Sequence, residues 1–323
     1  MNPFATAAGP RISRPPRAGT TVAILVLACG VLSSCATPAA DSGRGSASGP
    51  AVTRLIEVVA AEDVWGSIAA QIGGDHAHVV SIITNPNADP HGYEPTATDA
   101  RSVAESQLVV ENGIGYDPWA PKLVKADGGT VAVLDVGNLL GIADGGNPHR
   151  WYNPRDVLVV VNQLVTEYQK LDPTDSAYFV GRRTAFETTG LEQYHALIAS
   201  IASAYRGTPV GASESIFSML APALGLDLIT PGAFLKDISQ GTDVSAADKE
   251  TIDAQIKRHL IKIYVYNSQN VTPDIQVQLR EVKAAHIPYA TITETLQPAG
   301  ASYQAWQTGQ LLGIRAALDQ ATA

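Results

Sequence analysis

Cysteine is nearly missing from this chain of 323 residues, which holds two, Cys29 and Cys35. A disulfide framework and a thiolate zinc ribbon are therefore excluded. Basic residues are scarce too, 22 Lys plus Arg against 31 Asp plus Glu, for a net charge of −9. Nucleic-acid binders draw affinity from clustered basic residues that neutralise phosphates, so no nucleic-acid partner is expected. No apolar run is long enough for a membrane-spanning helix, which excludes a polytopic membrane protein. There is no P-loop, no G-x-S-x-G and no repeat at solenoid periods. Gly113-Ile114-Gly115 fails as a dinucleotide fingerprint because Pro118 stands where the third glycine belongs. What remains is a composition with 45% hydrophobic and 16% charged residues, enough for a packed core.

Residues 1–34 carry Arg11, Arg14 and Arg17 and no acidic residue, with an apolar stretch from Thr21 to Leu32. A basic segment followed by a short apolar one is the pattern of a secretory signal. It ends in Leu32-Ser33-Ser34-Cys35, which resembles the lipobox of a bacterial lipoprotein. That resemblance implies cleavage before Cys35, a lipid on its thiol, and an extracytoplasmic chain anchored to the cell membrane. Three positive charges leave with the signal, so 19 basic against 31 acidic residues give −12. Residues 36–50 are small, polar and rich in Pro, Gly and Ser, the composition of a flexible tether.

From Leu55 onward, short apolar runs alternate with amphipathic segments. Strands are expected at 56–61, 78–84, around 107–111 and at 131–136, with helices between them. A Thr ahead of Asp99 caps one such helix. After Asn153-Pro154 a helix runs until Asp172-Pro173 stops it. Thr174 to Arg206 reads as one long helix, a strut between two lobes. The alternation then resumes, with a strand-to-helix turn at 208–215, a Pro-kinked helix at 216–226 and a helix capped by Ser245. Strands at 261–267 and 287–293 and a closing helix complete it. The fold class is α/β, two lobes of parallel sheet flanked by helices and joined by one long rigid linking helix. The expected divisions are signal 1–34, tether 35–50, N-terminal lobe 51–173, linking helix 174–206 and C-terminal lobe 207–323.

The densest cluster of unusual residues is Asn85-Pro86-Asn87-Ala88-Asp89-Pro90-His91-Gly92-Tyr93-Glu94-Pro95, after a strand and before a helix, where open α/β sheets place ligands. Asn147-Pro148-His149-Arg150-Trp151-Tyr152-Asn153-Pro154 has the same build. Two histidines in two matching Pro-stiffened loops, from a chain with seven, point to a shared ligand. With the Ala212-Ser213-Glu214-Ser215-Ile216-Phe217 turn and the late Thr293-Glu294-Thr295 segment, these motifs resemble the solute-binding proteins of bacterial ABC transporters for zinc, manganese and iron, cluster A-I. The resemblance covers about Leu55 to Leu318.

It implies a metal at the interface of two lobes joined by a rigid helix. By residue, it implies His91 and His149 as the two histidine ligands, Glu214 as the third ligand and Glu294 as the fourth. Glu294 departs from the family's usual Asp. Asp89 or Glu94 is expected to orient the His91 ring. Trp151 and Tyr93 are expected to wall the cleft and keep it dry. Asn267 and Gln269 are not promoted.

Imidazole with carboxylate suits first-row divalent ions, and four protein ligands leave no dedicated place for a reactive water. The expected cargo is Mn2+ or Zn2+, with iron as a further option and no organic cofactor. The expected function is capture of that ion and delivery to an ABC permease and its ATPase by a monomer, not an enzyme. The alternatives are a secreted metal-dependent hydrolase with a His/His/Glu site, or a surface adhesin of the same family. His76 and His78, an H-x-H after Gly73-Gly74, are read as solvated turn residues. His195, His259 and His286 are read as solvated or helix-end residues.

Overall fold

The computed structural model describes residues 54–322 apart from Asn87 and Asp89. The expected signal, the tether with Cys35, and the expected orienting residue Asp89 thus lie outside the described residues. In chain order the first half comprises β1 (Ile56–Glu62), α1 (Asp63–Gly73), β2 (Ala77–Ile83), α2 (Ala97–Glu105), β3 (Leu108–Glu111), α3 (Ala120–Ala126), β4 (Ala132–Asp135), α4 (Val136–Leu140) and α5 (Pro154–Leu171). Then come α6 (Ser176–Ala185) and α7 (Glu192–Tyr205). The second half comprises β5 (Pro209–Ala212), α8 (Ile216–Leu220), β6 (Asp227–Leu228), α9 (Gly232–Ser239), α10 (Ala246–Lys257), β7 (Ile263–Asn267), α11 (Pro273–Ala284), β8 (Tyr289–Ile292) and α12 (Tyr303–Thr322).

The strands form two four-stranded sheets, ordered β2-β1-β3-β4 and β6-β5-β7-β8, with every neighbouring pair parallel. Parallel strands are covered on both faces, which is why they read as continuous apolar runs. Val58, Ala60, Leu108 and Val110 turn toward a central core, while Val59 and Val109 pack outward on Val103 and Val124. In the second sheet Val210, Ala212, Ile263 and Val265 join that same central core. Tyr264 packs the other way, on Phe234, Ile252 and Ile275. One apolar cluster therefore runs through both sheets, with Trp65, Trp151, Tyr194 and Tyr303 among its members.

Local chemistry sets the helix ends. Thr96 and Asp99 form a reciprocal capping box at α2. Asn153 caps α5 with Pro154 in its first turn, and Ser245 caps α10 through Asp248 N. His259 and His286 adopt positive φ just past α10 and α11, the left-handed position that closes helices.

Two departures from expectation have local causes. The single helix expected over 174–206 is instead α6, a π-helical turn over Phe186–Gly190, and α7. Hydroxyls of Thr184 and Thr188 bond back to Val180 O and Thr184 O, at 3.0 and 2.7 Å, and Gly190 ends the turn, so the ladder shifts there. Likewise α8 stops after five residues. Pro222 has no N–H and its ring crowds the preceding turn, so turns rather than a kinked helix lead on to Leu226.

Strand order reverses between β1 and β3 and between β5 and β7. Open α/β sheets bind ligands at such points, beyond the carboxyl ends of the strands. The loops that leave those ends carry His91, Glu214 and Glu294, and His149 follows α4, the short helix directly after β4.

Candidate metal centre

His149 follows α4 on the Pro148 loop and is buried, 2% exposed. Its Nδ1 lies 3.0 Å from Asn147 Oδ1, so Nδ1 carries the proton and Nε2 keeps its lone pair. Burial, with the nearby His91, pushes its pKa down to about 3, so the ring is neutral at physiological pH. His91 is exposed and is held the same way, Nδ1 lying 3.0 Å from Gly115 O. Both histidines therefore present Nε2, oriented by an oxygen on the other ring nitrogen, as metal-binding imidazoles require.

A backbone carbonyl, Gly115 O, helps to orient His91. Of the two residues expected in that role, Asp89 lies outside the described residues and Glu94 is exposed. Gly115 is placed by an unusual loop. Gly113 has φ +66°, and a Cβ there would stand 2.4 Å from Asp135 Oδ1. Ile114 follows with φ +59°, a conformation that costs a β-branched residue energy and occurs where a site dictates it. The Gly-Ile-Gly sequence, useless for a dinucleotide, thus positions a histidine.

Glu214, just past β5, is 1% exposed. Asn267, the last residue of β7, donates from Nδ2 to Glu214 Oε1 at 2.6 Å and to Glu294 Oε1 at 2.6 Å. Asn270 Nδ2 donates to Glu214 Oε2 at 2.8 Å, and Tyr116 Oη donates to Glu294 Oε2 at 2.9 Å. Gln269 Oε1 accepts the backbone N–H of Glu294 at 2.7 Å and fixes the turn that carries it. Burial and the neighbouring Glu294 charge push the Glu214 carboxyl well above the usual carboxylate range.

Glu294 Oε2 lies 4.0 Å from His149 Nε2. Ligand atoms about 2.1 Å from one ion stand roughly 3–3.5 Å apart in tetrahedral geometry, so this pair is close to ligating distance. No three of the four expected ligands have their atoms all within 4.8 Å of one another. The carboxylates are joined through Asn267, and the histidines flank the Tyr116 ring, whose centroid is 5.1 Å from His91 and 5.8 Å from His149. His91 and Glu294 line a cavity of about 750 Å³ together with Asn147, Ser215, Gln269 and Asn270.

Trp151 is fully buried with its ring 5.4 Å from His149, and walls the site from behind. Tyr93 does not line it: its hydroxyl donates to Asp99 and its ring packs on Trp119, 5.0 Å away. Tyr116, Asn147, Asn267 and Asn270 are the residues that motif reading passes over. Asn147 stands two residues before His149, whereas Tyr116, Asn267 and Asn270 lie far in sequence from the carboxylates they bond and leave no local signal.

Comparisons with known proteins agree with this architecture. The chain is 24% identical over 250 residues to the manganese-binding lipoprotein MntA of Halalkalibacterium halodurans, covering 71% of this chain and 78% of that protein. It is 21% identical over 264 residues to the high-affinity zinc uptake system protein ZnuA of Bacillus subtilis, covering 73% and 79%. The solved structure of the periplasmic zinc-binding protein TroA from Treponema pallidum superposes with a TM-score of 0.68 at 18% identity, over 84% of this chain and all of that one. Residues 58–317 match the family model for the periplasmic zinc-uptake complex component A, and the chain belongs to that family.

Proposed function

We propose that this chain captures a divalent transition-metal ion, manganese or zinc, outside the cytoplasm and delivers it to an ABC importer without chemical turnover. The observation that carries the reading is the donor set: two imidazoles that present Nε2 beside two carboxylates that share Asn267. In this reading His91, His149, Glu214 and Glu294 hold the ion, which replaces the amide as the link between the carboxylates. Imidazole and carboxylate together suit manganese, iron(II) and zinc. The names of the manganese-binding and zinc-uptake relatives support the same cargo class and an importer as partner.

The anchor belongs to this proposal: cleavage before Cys35, a lipid on its thiol, and a tether to about residue 50. So do a working monomer and the division into lobes 51–173 and 207–323 joined by 174–206.

The test is thermal unfolding of the metal-stripped chain titrated with zinc, manganese and iron(II). An ion that binds only the folded state raises the midpoint by mass action, about 2.7 kcal/mol at a hundredfold excess over Kd. We expect a large upward shift that His149→Ala sharply reduces. A flat response to all three ions would overturn the reading.

A further inference from the structure

We propose that His76, Asp172 and Asp175 form a second divalent-cation site, which ties the turn after α1 to the start of α6. His76 immediately precedes β2, and His91 lies beyond its other end. Seven residues of strand, at ~3.3 Å each, therefore separate this group from the metal centre. One nitrogen of His76 and one oxygen of each aspartate all lie within 4.8 Å of one another. Among the described residues, this is the one group of three or more His, Cys, Asp or Glu side chains that meets that spacing.

Geometry separates it from an ordinary ion pair. His76 Nδ1 stands 3.1 Å from Asp175 Oδ2 and 3.7 Å from Asp172 Oδ2. It is shielded from solvent, yet it makes no hydrogen bond. A hydrogen bond at 3.1 Å would place the oxygen along the N–H direction. Two ligands of one ion also stand roughly 3–3.5 Å apart, each pointing at the ion and not at its neighbour.

The ligands are also held by contacts outside the group. The His76 ring lies on Tyr178, 4.1 Å between centroids, with Phe179 at its edge, 5.8 Å away. Asp172 Oδ1 accepts from Thr174 N at 3.2 Å and Thr174 Oγ1 at 2.6 Å, which leaves Oδ2 to face His76. Side chains fixed in this way present a pre-organised site.

Charge favours a cation. Among the described residues no Lys or Arg forms an ion pair with either aspartate. Arg182, which packs near Gly74, spends its Nε on Gln71 O at 2.9 Å. One imidazole and two carboxylates suit a first-row divalent ion, with water completing its shell.

This inference does not depend on the proposed function. Its test counts ions: Mn2+ is titrated into the full chain and the free ion is followed by its EPR signal. Manganese is chosen because thiolates such as Cys29 and Cys35 are poor ligands for it. Two equivalents are expected for the wild type. His76→Ala should lower the count to one, and so should Asp175→Asn, a near-isosteric change at a half-buried position. His149→Ala should also leave one equivalent, the one bound here. A wild-type count of one that survives Asp175→Asn would overturn this site and leave the metal centre standing. A count of two unchanged by both His76→Ala and Asp175→Asn would overturn it as well. A count of one lost with Asp175→Asn but kept in His149→Ala would support this site and remove the other.

Discussion

Glu214 and Glu294 share a single donor, with Asn267 Nδ2 lying 2.6 Å from Oε1 of each. Two carboxylates in one site repel unless something positive stands between them. Here the two N–H bonds of one amide do so, holding both oxygens at a spacing an ion can replace. Asn267→Leu keeps the branched shape and removes the donors. A hydrogen bond contributes roughly 0.5–1.5 kcal/mol, or about 1.5–3 kcal/mol where the partner is ionised, so without the amide the two carboxyl groups should splay. Mn2+ or Zn2+ affinity by calorimetry should fall by about tenfold or more, equivalent to ~1.4 kcal/mol. Unchanged affinity would reduce the amide to packing.

The same pair predicts how binding depends on pH. The Glu214 carboxyl is pushed up by burial and by Glu294, so near neutrality it holds a proton that an ion must displace. Apparent affinity should therefore weaken as pH falls from 8 to 6, and binding should release protons to the buffer. His149 adds nothing to this window, because its pKa near 3 keeps it neutral throughout. Titrations in buffers of different ionisation enthalpy report the released protons directly. No proton release at pH 7 would contradict the picture. Glu294→Gln removes the neighbouring charge and should flatten the pH dependence while weakening binding.

A second acidic group lies at the β1–β3 end of the first sheet. Glu62 and Glu111 are 3% and 5% exposed, with Asp63 and Asp117 beside Glu62. Burial first, then Asp117, Asp63 and Glu111, raise the Glu62 carboxyl far above its ordinary value. Burial, then Asp117 and Asp135, push Glu111 up to about 8. Burial pushes Asp117 up to about 6, and the backbone N–H groups of Asn112 and Gly113, which it accepts at 2.7 and 2.8 Å, partly offset that rise. A protonated Glu62 can therefore donate to Asp117.

A carboxyl with a raised folded pKa favours the fold fully below about pH 4.5, the unfolded value, and loses that contribution as pH climbs. Stability from Glu62 and Glu111 should thus decline between about pH 5 and pH 8. Glu62→Gln keeps a donor for Asp117 and cannot ionise. A tenfold difference in proton affinity between the folded and unfolded chain is worth about 1.4 kcal/mol, so the variant should gain stability of that order at pH 8 and little at pH 5. Melting curves at the two pH values decide; an equal change at both would sink the explanation.

Much of this fold follows from period and punctuation in the chain. Val58 to Ala61 and Val109 to Val110 are apolar on both faces, as parallel strands require, and Thr96, Asn153 and Ser245 cap their helices. Short elements leave weaker traces: β6 has two residues and α4 five, too few for any period to appear. The π-turn at Phe186–Gly190 is equally silent, since threonine back-bonding is a matter of rotamer and not of pattern. Among site residues, histidines between prolines stand out, whereas Asn267 and Tyr116 are ordinary residue types made special by pairing across long sequence distances. His76 belongs with them, because its partners Asp172 and Asp175 lie about a hundred residues downstream.

The packing also predicts how the molecule responds to its cargo. One apolar cluster runs through both sheets, and the C-terminal segment is bonded onto α1. Tyr303 N donates to Ser67 Oγ at 3.0 Å, Gln304 Nε2 to Gln71 Oε1 at 2.6 Å, and Leu296 N to Asp63 Oδ2 at 3.2 Å. Tyr303 Oη reaches Trp151 O at 2.8 Å, directly behind His149. A hinge between the sheets would have to break these bonds and open a shared core, and close-packed interiors do not deform continuously. Ion binding should therefore order the loops around His91 and Glu294 and leave the two sheets where they are. Small-angle scattering of the stripped and loaded chain should give the same radius of gyration, while hydrogen exchange slows in those loops. A clear contraction on loading would mean that the sheets move, and that the Ser67, Gln71 and Asp63 contacts are made and broken in the cycle. Tyr303→Phe with Ser67→Ala tests the brace itself, and should lower the melting temperature without changing the number of ions bound.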